Sequence, residues 1–250
     1  MQLENRVVLV TGGSGGIGSA ACLAFARAGA SVVVHYMGGR ERAEKVVDAV
    51  GAAGGRAVAV RADITDEGEV GRLMEEVASF AGADRLDVLF NNAGIFPRAP
   101  VEAISAAAWD HVLAVNLRGS FLCARAALPL LRRSSSGRIV NISSNTVSRG
   151  TPGTLHYVAS KAGLIGLTRA LARELAPEGI TVNCVVPSLV ETDSADDSFG
   201  HAIDAVVAAQ SIQRRQTPED LVGLLVFLAS DASAFVTGQT INADGGLIFR

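Results

Sequence analysis

Lysine is almost missing from this chain. Among its 250 residues only Lys45 and Lys161 are lysines, against 20 arginines, and the formal net charge is −3. That balance gives no nucleic-acid footprint. Cysteine is scarce too: Cys22, Cys123 and Cys184 make an odd count without metal-ligand spacing. They suit small core positions in a reducing compartment better than a disulfide framework, and no metal site is implied. No apolar run is long and charge-free enough to span a bilayer, so no membrane partner is expected. Only five residues precede the first predicted strand, so no signal peptide is expected. Repeats, low-complexity tracts and dividing linkers are absent as well. The expectation is one domain over residues 1–250 in the cytoplasm.

What is present alternates. Apolar strands near 6–11, 31–36, 57–62, 86–91, 137–143, 180–186 and 239–243 are separated by amphipathic helical stretches, the longest near 109–132 and 155–176. Such alternation predicts a parallel sheet, and a chain that is 49% hydrophobic can supply strands buried on both faces. Pro177, followed by Glu178 and Gly179, stops the second long helix. One irregular stretch, 188–216, follows the sixth strand and begins with Asp193, Asp196 and Asp197. Ligands of open parallel sheets bind at the carboxyl ends of the strands, so this stretch is a candidate substrate lid. A merely solvated acidic connection accounts for its charges equally well.

The first strand runs into Thr11-Gly12-Gly13-Ser14-Gly15-Gly16-Ile17-Gly18 and then an alanine-rich helix. Strand, glycine turn and helix N-terminus are the parts of a dinucleotide phosphate cradle. Missing side chains let the backbone approach the pyrophosphate, and the helix dipole favours its charge. Three residues separate Gly12 from Gly16, unlike the common G-x-G-x-x-G spacing, so the flanking strand and helix carry the assignment.

Lys161 follows Tyr157 by four residues, which on a helix puts the phenol and the ammonium on one face. A free tyrosine titrates near pH 10, and a neighbouring cation lowers that value and turns the phenol into an acid/base. Lysine is a compact, rotatable donor where arginine is a broad planar fork. In an arginine-rich chain, Lys161 reads as chosen for chemistry, although the spacing alone is common and equally suits a surface lysine beside a core tyrosine.

With these motifs in view the chain resembles the short-chain dehydrogenase/reductase family from about Arg6 to Gly246, and is most similar to its 3-oxoacyl-[acyl-carrier-protein] reductase-like members. Asn91-Asn92-Ala93-Gly94 resembles the family's motif that supports the central sheet and the adenosine side of the cofactor. Asp63, with Ile64 beside it, matches the aspartate that contacts adenine. Asn116, Ser144, Tyr157 and Lys161 match the catalytic residues, Ser144 lying thirteen positions before Tyr157. Pro187-Ser188-Leu189-Val190-Glu191-Thr192 resembles the segment that holds the nicotinamide, although Ser188 stands where the family often has glycine. The resemblance implies a Rossmann-type α/β fold, a doubly wound, parallel, seven-stranded sheet with helices on both faces. It also implies an oxidoreductase that interconverts a carbonyl and a secondary alcohol by hydride transfer. Tyr157 would exchange the proton, Lys161 would lower its pKa and bond the nicotinamide ribose, and Ser144 would stabilise charge on the substrate oxygen. Asn116 would hold a water linking Lys161 to solvent, and Val190 and Thr192 would hold the carboxamide.

Cofactor choice is read at the end of the second strand. Tyr36 occupies the place of the acid that would bind the ribose hydroxyls of NAD, and no carboxylate appears before Glu41. Arg40 could pair with a 2′-phosphate, so NADP(H) is favoured over NAD(H); the competing view makes Arg40 the start of a solvated helix.

Substrate is less constrained. A thioester on acyl carrier protein, an acidic partner, calls for a basic docking surface. Arg132, Arg133, Arg149, Arg214 and Arg215 would have to supply it against Glu178 and the acidic start of the lid. A small neutral ketone, secondary alcohol or sugar-like polyol is favoured. His156 and His201 read as polar residues near loops before they read as substrate contacts. A homotetramer is expected through the two long helices and the last strand, with Ala124, Ala126, Ala127, Gly163, Gly166 and Ala170 allowing close approach. The same small residues could equally pack on the chain's own sheet. The alternative of another class, a nucleotide-sensing or scaffold module with little turnover, would be expected to have lost Tyr157, Lys161 or Ser144.

Overall fold

The computed structural model of the chain describes residues 2–82, 84–192 and 200–249. Its strands are β1 (Val7–Val10), β2 (Ser31–Tyr36), β3 (Arg56–Arg61), β4 (Val88–Asn91), β5 (Arg138–Ile142), β6 (Thr181–Pro187) and β7 (Thr240–Ala243). They form one parallel sheet in the order β3-β2-β1-β4-β5-β6-β7. Every predicted strand is present within two residues of its expected ends. The helices are α1 (Gly16–Arg27), α2 (Arg40–Ala52), α3 (Glu67–Ala81), α4 (Ala106–Leu113), α5 (Gly119–Leu131), α6 (Thr146–Arg149), α7 (Leu155–Leu175), α8 (Gly200–Ala209) and α9 (Glu219–Ala229).

The period-two alternation of the strands sorts the core into two layers. Val8 and Val10 of β1 pack with Val32 and Val34 of β2 against Ala21, Cys22 and Phe25 of α1 and Leu221, Leu225 and Leu228 of α9. Val7, Leu9 and Val33 face the other way, towards Leu73 and Val77 of α3 and Leu122, Cys123 and Ala127 of α5. Each fully buried leucine or valine contributes roughly 1.5–3 kcal/mol, so both faces hold the sheet rigidly. Strand order reverses between β1 and β4, the switch point beyond whose carboxyl ends open sheets of this kind bind ligands. All the candidate cofactor motifs project from that end.

Two expectations need correction. The helix predicted over 109–132 is broken by a π-helical turn at Ala114–Arg118, which joins α4 to α5. The wider turn buries Asn116, and Gly119 just beyond it passes so close to Ile64 that an added Cβ would lie 2.7 Å from its Cδ1. Of the small residues expected at a subunit interface, Ala124 and Ala127 are core residues against the chain's own sheet. A Cβ at Gly163 would lie 2.6 Å from Leu117 in the same chain. Gly166 and Ala170 do point outward.

α7 ends at Leu175 in a tight turn carrying Pro177, and Gly179 leaves it at φ 74. The candidate lid contains α8 where an irregular stretch was expected, and Asp193, Asp196 and Asp197 lie outside the described residues. Among the described residues no helix is long and apolar enough to cross a membrane.

Candidate active site

The glycine turn is built by its neighbours. Thr11 Oγ1 accepts from the amides of Asn92 and Ala93 at 3.0 and 3.1 Å. Asn92 Nδ2 donates back to the carbonyls of Thr11 and Gly12 at 3.0 and 3.1 Å. Gly18 packs so tightly that a Cβ would sit 2.2 Å from the Gly12 carbonyl oxygen, and Gly12, at φ 64, backs directly onto Ala93. Gly15, by contrast, faces open space, with nothing within 4 Å of a Cβ placed there. α1 starts beside it without any side-chain cap. An uncapped helix N-terminus with an open, glycine-lined approach is what a pyrophosphate requires, so these residues fit a dinucleotide.

A buried histidine that sequence reasoning passed over ties this turn to the adenosine side. His35 Nδ1 accepts the Gly12 amide at 3.1 Å, while Nε2 lies 2.9 Å from the Ala62 carbonyl, which fixes the proton on Nε2. Burial lowers the His35 pKa, partly offset by the Ala62 bond and by Asp63. Next along, Asp63 accepts from the amide and hydroxyl of Thr65 at 2.8 and 2.7 Å. The Thr65 amide bond, first among several causes, holds that carboxyl below its ordinary range. Ile64 is buried against Gly119. Tyr36 is buried at the end of β2, and Arg40 is exposed and paired with Glu44 at 2.7 Å.

Ser144, Tyr157, Lys161 and Asn116 converge where β4, β5 and β6 end. Burial pushes the Tyr157 phenol up to about 12, with a hydrogen bond to Ser144 pulling the other way. Lys161 is 4% exposed, its Nζ donates to the Ile142 carbonyl at 2.8 Å, and burial lowers it to about 8. The expectation that Lys161 brings Tyr157 down is therefore not met in the protein alone. Desolvation of the phenol dominates, and Nζ sits 5.7 Å from the ring centre with its bond directed at the backbone. Asn116 spends its side-chain amide on the Ile95 backbone and on Ser160 Oγ. It borders Gly94 on the same side as Lys161: a Cβ at Gly94 would lie 3.1 Å from Asn116 Oδ1 and 3.5 Å from Lys161 Nζ.

A cavity of about 440 Å³ opens over this group. Ser144, Tyr157, Pro187, Val190, Thr192 and Ile17 line it. Thr192 reaches the glycine turn, its Cγ2 lying 3.0 Å from where a Gly16 Cβ would be. Phe96 packs edge-on against Tyr157 at 4.4 Å and forms one wall. Phe96, Arg98, Asn145, Thr146 and Thr151 were not singled out, and Arg149 was named only as a docking arginine; their places beside recognised motifs were the one signal. Ala205 and Val206 of α8 complete the lining. His156 is buried and accepts the Tyr157 amide, away from the cavity; the His201 side chain lies outside the described residues.

A family model described as enoyl-(acyl carrier protein) reductase matches residues 12–248, nearly the whole chain. The chain belongs to the short-chain dehydrogenase/reductase family. A 3-oxoacyl-[acyl-carrier-protein] reductase of Staphylococcus aureus is 41% identical over 242 residues, 97% of this chain and 98% of the relative. One from Synechocystis is 40% identical over 247 residues, covering 98% of each. A dehydrogenase/reductase from Sinorhizobium meliloti superposes with a TM-score of 0.93 at 40% identity, over 99% of this chain and 97% of that one. The chain is thus an enzyme of the family, an oxidoreductase acting between CH–OH and carbonyl groups with NAD(P). A non-catalytic sensor or scaffold falls away with that finding.

Proposed function

We propose that the protein reduces a small carbonyl compound, or oxidises the matching secondary alcohol, with NADP(H) and with Tyr157 as acid/base. The observation that carries this is the convergence of Ser144 and Tyr157 on one cavity, with Lys161 buried behind them. Gly12 to Gly18 would hold the pyrophosphate, Asp63 and Ile64 the adenine, and Asn92, Ala93 and Gly94 the wall between. Pro187, Val190 and Thr192 would hold the nicotinamide. When bound, the reduced nicotinamide supplies a hydride to the carbonyl carbon. Tyr157 gives its phenolic proton to the carbonyl oxygen, and Ser144 donates to the same oxygen and stabilises the charge developing there. Lys161 then returns a proton towards Tyr157, with Asn116 beside it as the route from solvent.

The preference for NADP(H) is supported by the absence of any carboxylate from Tyr36 to Arg40 and by the exposure of Arg40 at the helix start. Its partner Glu44 would have to yield to a 2′-phosphate.

Docking to acyl carrier protein, which the names of the relatives suggest, finds little support in the arginines. Four of the five named arginines are committed: Arg132 is paired with Glu178, Arg133 with Asp84, Arg214 with Asp220, and Arg215 with Glu191 and Asp204, and Arg149 is the exception. A small free substrate is the better reading.

We also infer a cytoplasmic homotetramer, in keeping with three buried free cysteines and an outward groove lined by Leu113, Leu117, Phe121 and Leu167. α8 would act as the lid over the cavity within one catalytic domain.

The test is turnover of ketones, diketones and an acetoacetyl thioester with NADPH and with NADH, in wild type and Tyr157→Phe. The reading requires NADPH-dependent reduction that Tyr157→Phe abolishes while NADPH affinity is kept. Equal use of NADH would remove the Arg40 argument, and full activity in Tyr157→Phe would remove the mechanism.

A further inference from the structure

The lining of the cavity over Ser144 and Tyr157 has a charge asymmetry. Arg98 and Arg149 both border it, and no aspartate or glutamate among the described residues does. Arg149 is the last residue of α6, the short helix that leaves Ser144, and Gly150 at φ 61 turns the chain away immediately after it. Its guanidinium has no hydrogen-bond or ion-pair partner among the described residues. The four arginines named with it as a basic docking surface, Arg132, Arg133, Arg214 and Arg215, all have carboxylates of their own. Much of the rest of the wall is apolar, with Phe96, Leu189, Val190 and Val206.

Arg149 is exposed at the mouth of this cavity, beside its apolar wall, where an anion that enters with the substrate can pair with it. Arginine's planar fork matches carboxylate and phosphate oxygens in a bidentate pair, a geometry that a neutral ketone or polyol cannot use.

We propose that the substrate is an oxo acid, a small ketone that carries a carboxylate or phosphate. Arg149 holds its anion while its carbonyl oxygen lies between Ser144 and Tyr157. This rests on the reading of Ser144 and Tyr157 as the carbonyl-binding pair, and it replaces the neutral substrate that the sequence alone favoured. The anion is a spectator: it is bound before and after hydride and proton are delivered to the carbonyl, and its charge does not change. Arg149 is thereby the residue that sets substrate choice.

Matched pairs test it. A 4-oxo acid is compared with its methyl ester, and an oxoalkyl phosphate with the corresponding neutral oxo alcohol. The acetoacetyl thioester of N-acetylcysteamine serves as a neutral acyl-type substrate. With saturating NADPH, wild type should favour the anionic member of at least one pair by roughly 10-fold or more in kcat/KM, as a charged hydrogen-bonded pair implies. Which pair responds tells carboxylate from phosphate. Arg149→Gln should bring that ratio towards one, mainly through KM, Arg149→Lys should restore part of it, and Arg133→Gln should leave it intact. Calorimetric binding of the anion to Tyr157→Phe with NADPH should show the same loss on adding Arg149→Gln, independently of chemistry.

Equal use of anionic and neutral members by wild type, or a preference that survives Arg149→Gln, would overturn the proposal. So would preferred use of the neutral thioester. In those cases, neutral-ketone turnover that Tyr157→Phe abolishes would leave the carbonyl reductase reading standing. If no member turns over while calorimetry still shows Arg149-dependent binding of the anion, the anion site stands and that reading fails.

Discussion

Ser188 Oγ and Gln210 Oε1 are 2.7 Å apart and both side chains are buried, so the segment after β6 is bonded directly to the residue that follows α8. Gln210 Nε2 in turn donates to the Ile212 and Arg214 carbonyls, and Gln216 Oε1 accepts the Ser188 amide. Ser188, where the family often has glycine, is therefore a clasp between the segment after β6 and the end of α8. Ser188→Gly leaves Gln210 Oε1 without its donor in a dry site, a cost of about 1–3 kcal/mol. Urea unfolding should show that loss, and α8 should become more open to proteolysis. An unchanged midpoint would mean that water replaces the hydroxyl freely.

Gly15 and Gly18 separate folding from cofactor binding. Gly18→Ala drives a methyl into the Gly12 carbonyl at 2.2 Å and should lower stability markedly, with poor recovery of folded protein. Gly15 has extended backbone at φ −161 that any residue adopts, and its Cβ would meet nothing. Gly15→Ala should therefore keep the melting temperature of the free protein. It should weaken NADPH binding, measured by nicotinamide fluorescence, because the methyl enters the space reserved for phosphate. Unchanged affinity in Gly15→Ala would argue against this cradle.

His35 gives the glycine turn an acid limit. The unfolded histidine titrates near 6.5, and burial lowers it in the fold. Between those two values the unfolded chain binds the extra proton, so stability falls as pH drops below about 6.5. The loss coincides with loss of Nδ1 as acceptor for the Gly12 amide. In His35→Gln the part of the acid sensitivity that sets in below about pH 6.5 should disappear from thermal melts. NADPH affinity of wild type should fall over the same range more steeply than that of the variant.

Periodicity and punctuation made the sheet legible: buried parallel strands are nearly continuous apolar runs, and glycines end them. The π turn at Ala114–Arg118 was not legible, because its residues form an ordinary helix pattern and the distortion comes from Asn116 bonding to the Ile95 backbone and Ser160. Tyr157 and Lys161 could be paired by their spacing on one helix, and Ser144 was placed by resemblance to the family. Arg149, Phe96 and the Ser188–Gln210 bond could not, because they come together only when separate loops and α8 close over the cavity. His35 was equally hidden: it sits in an apolar strand between Val34 and Tyr36, and only the fold shows it bonded to Gly12 and Ala62.

Tyr157 and Lys161 titrate in opposite senses, and each makes a separate test possible. The chain has only two tyrosines, so Tyr36→Phe leaves Tyr157 as a lone reporter. In the free protein its phenol is pushed up to about 12, so absorbance near 295 nm should show no phenolate step below pH 10. Adding NADP+ brings a positive ring into the cleft and should draw that step down into a usable range; a phenolate already present at pH 8 without cofactor would contradict the burial argument. For Lys161 the sign runs the other way. Its folded value of about 8 lies below the ordinary 10.5, so the unfolded chain holds more protons between those values. Burying the ammonium is a cost that is full below pH 8 and is relieved as pH rises towards 10.5. Lys161→Met removes the charge, so the stability of wild type relative to the variant should climb across that window by a few kcal/mol, up to about 3. Urea unfolding of both proteins at pH 7, 8.5 and 10 reads this directly, and the phenol cancels in the comparison. A flat difference would mean that the ammonium is solvated in the free enzyme and that its bond to the Ile142 carbonyl is not the main contact. A rising one would show that the fold holds Lys161 at a cost, which a catalytic role for the charge would explain.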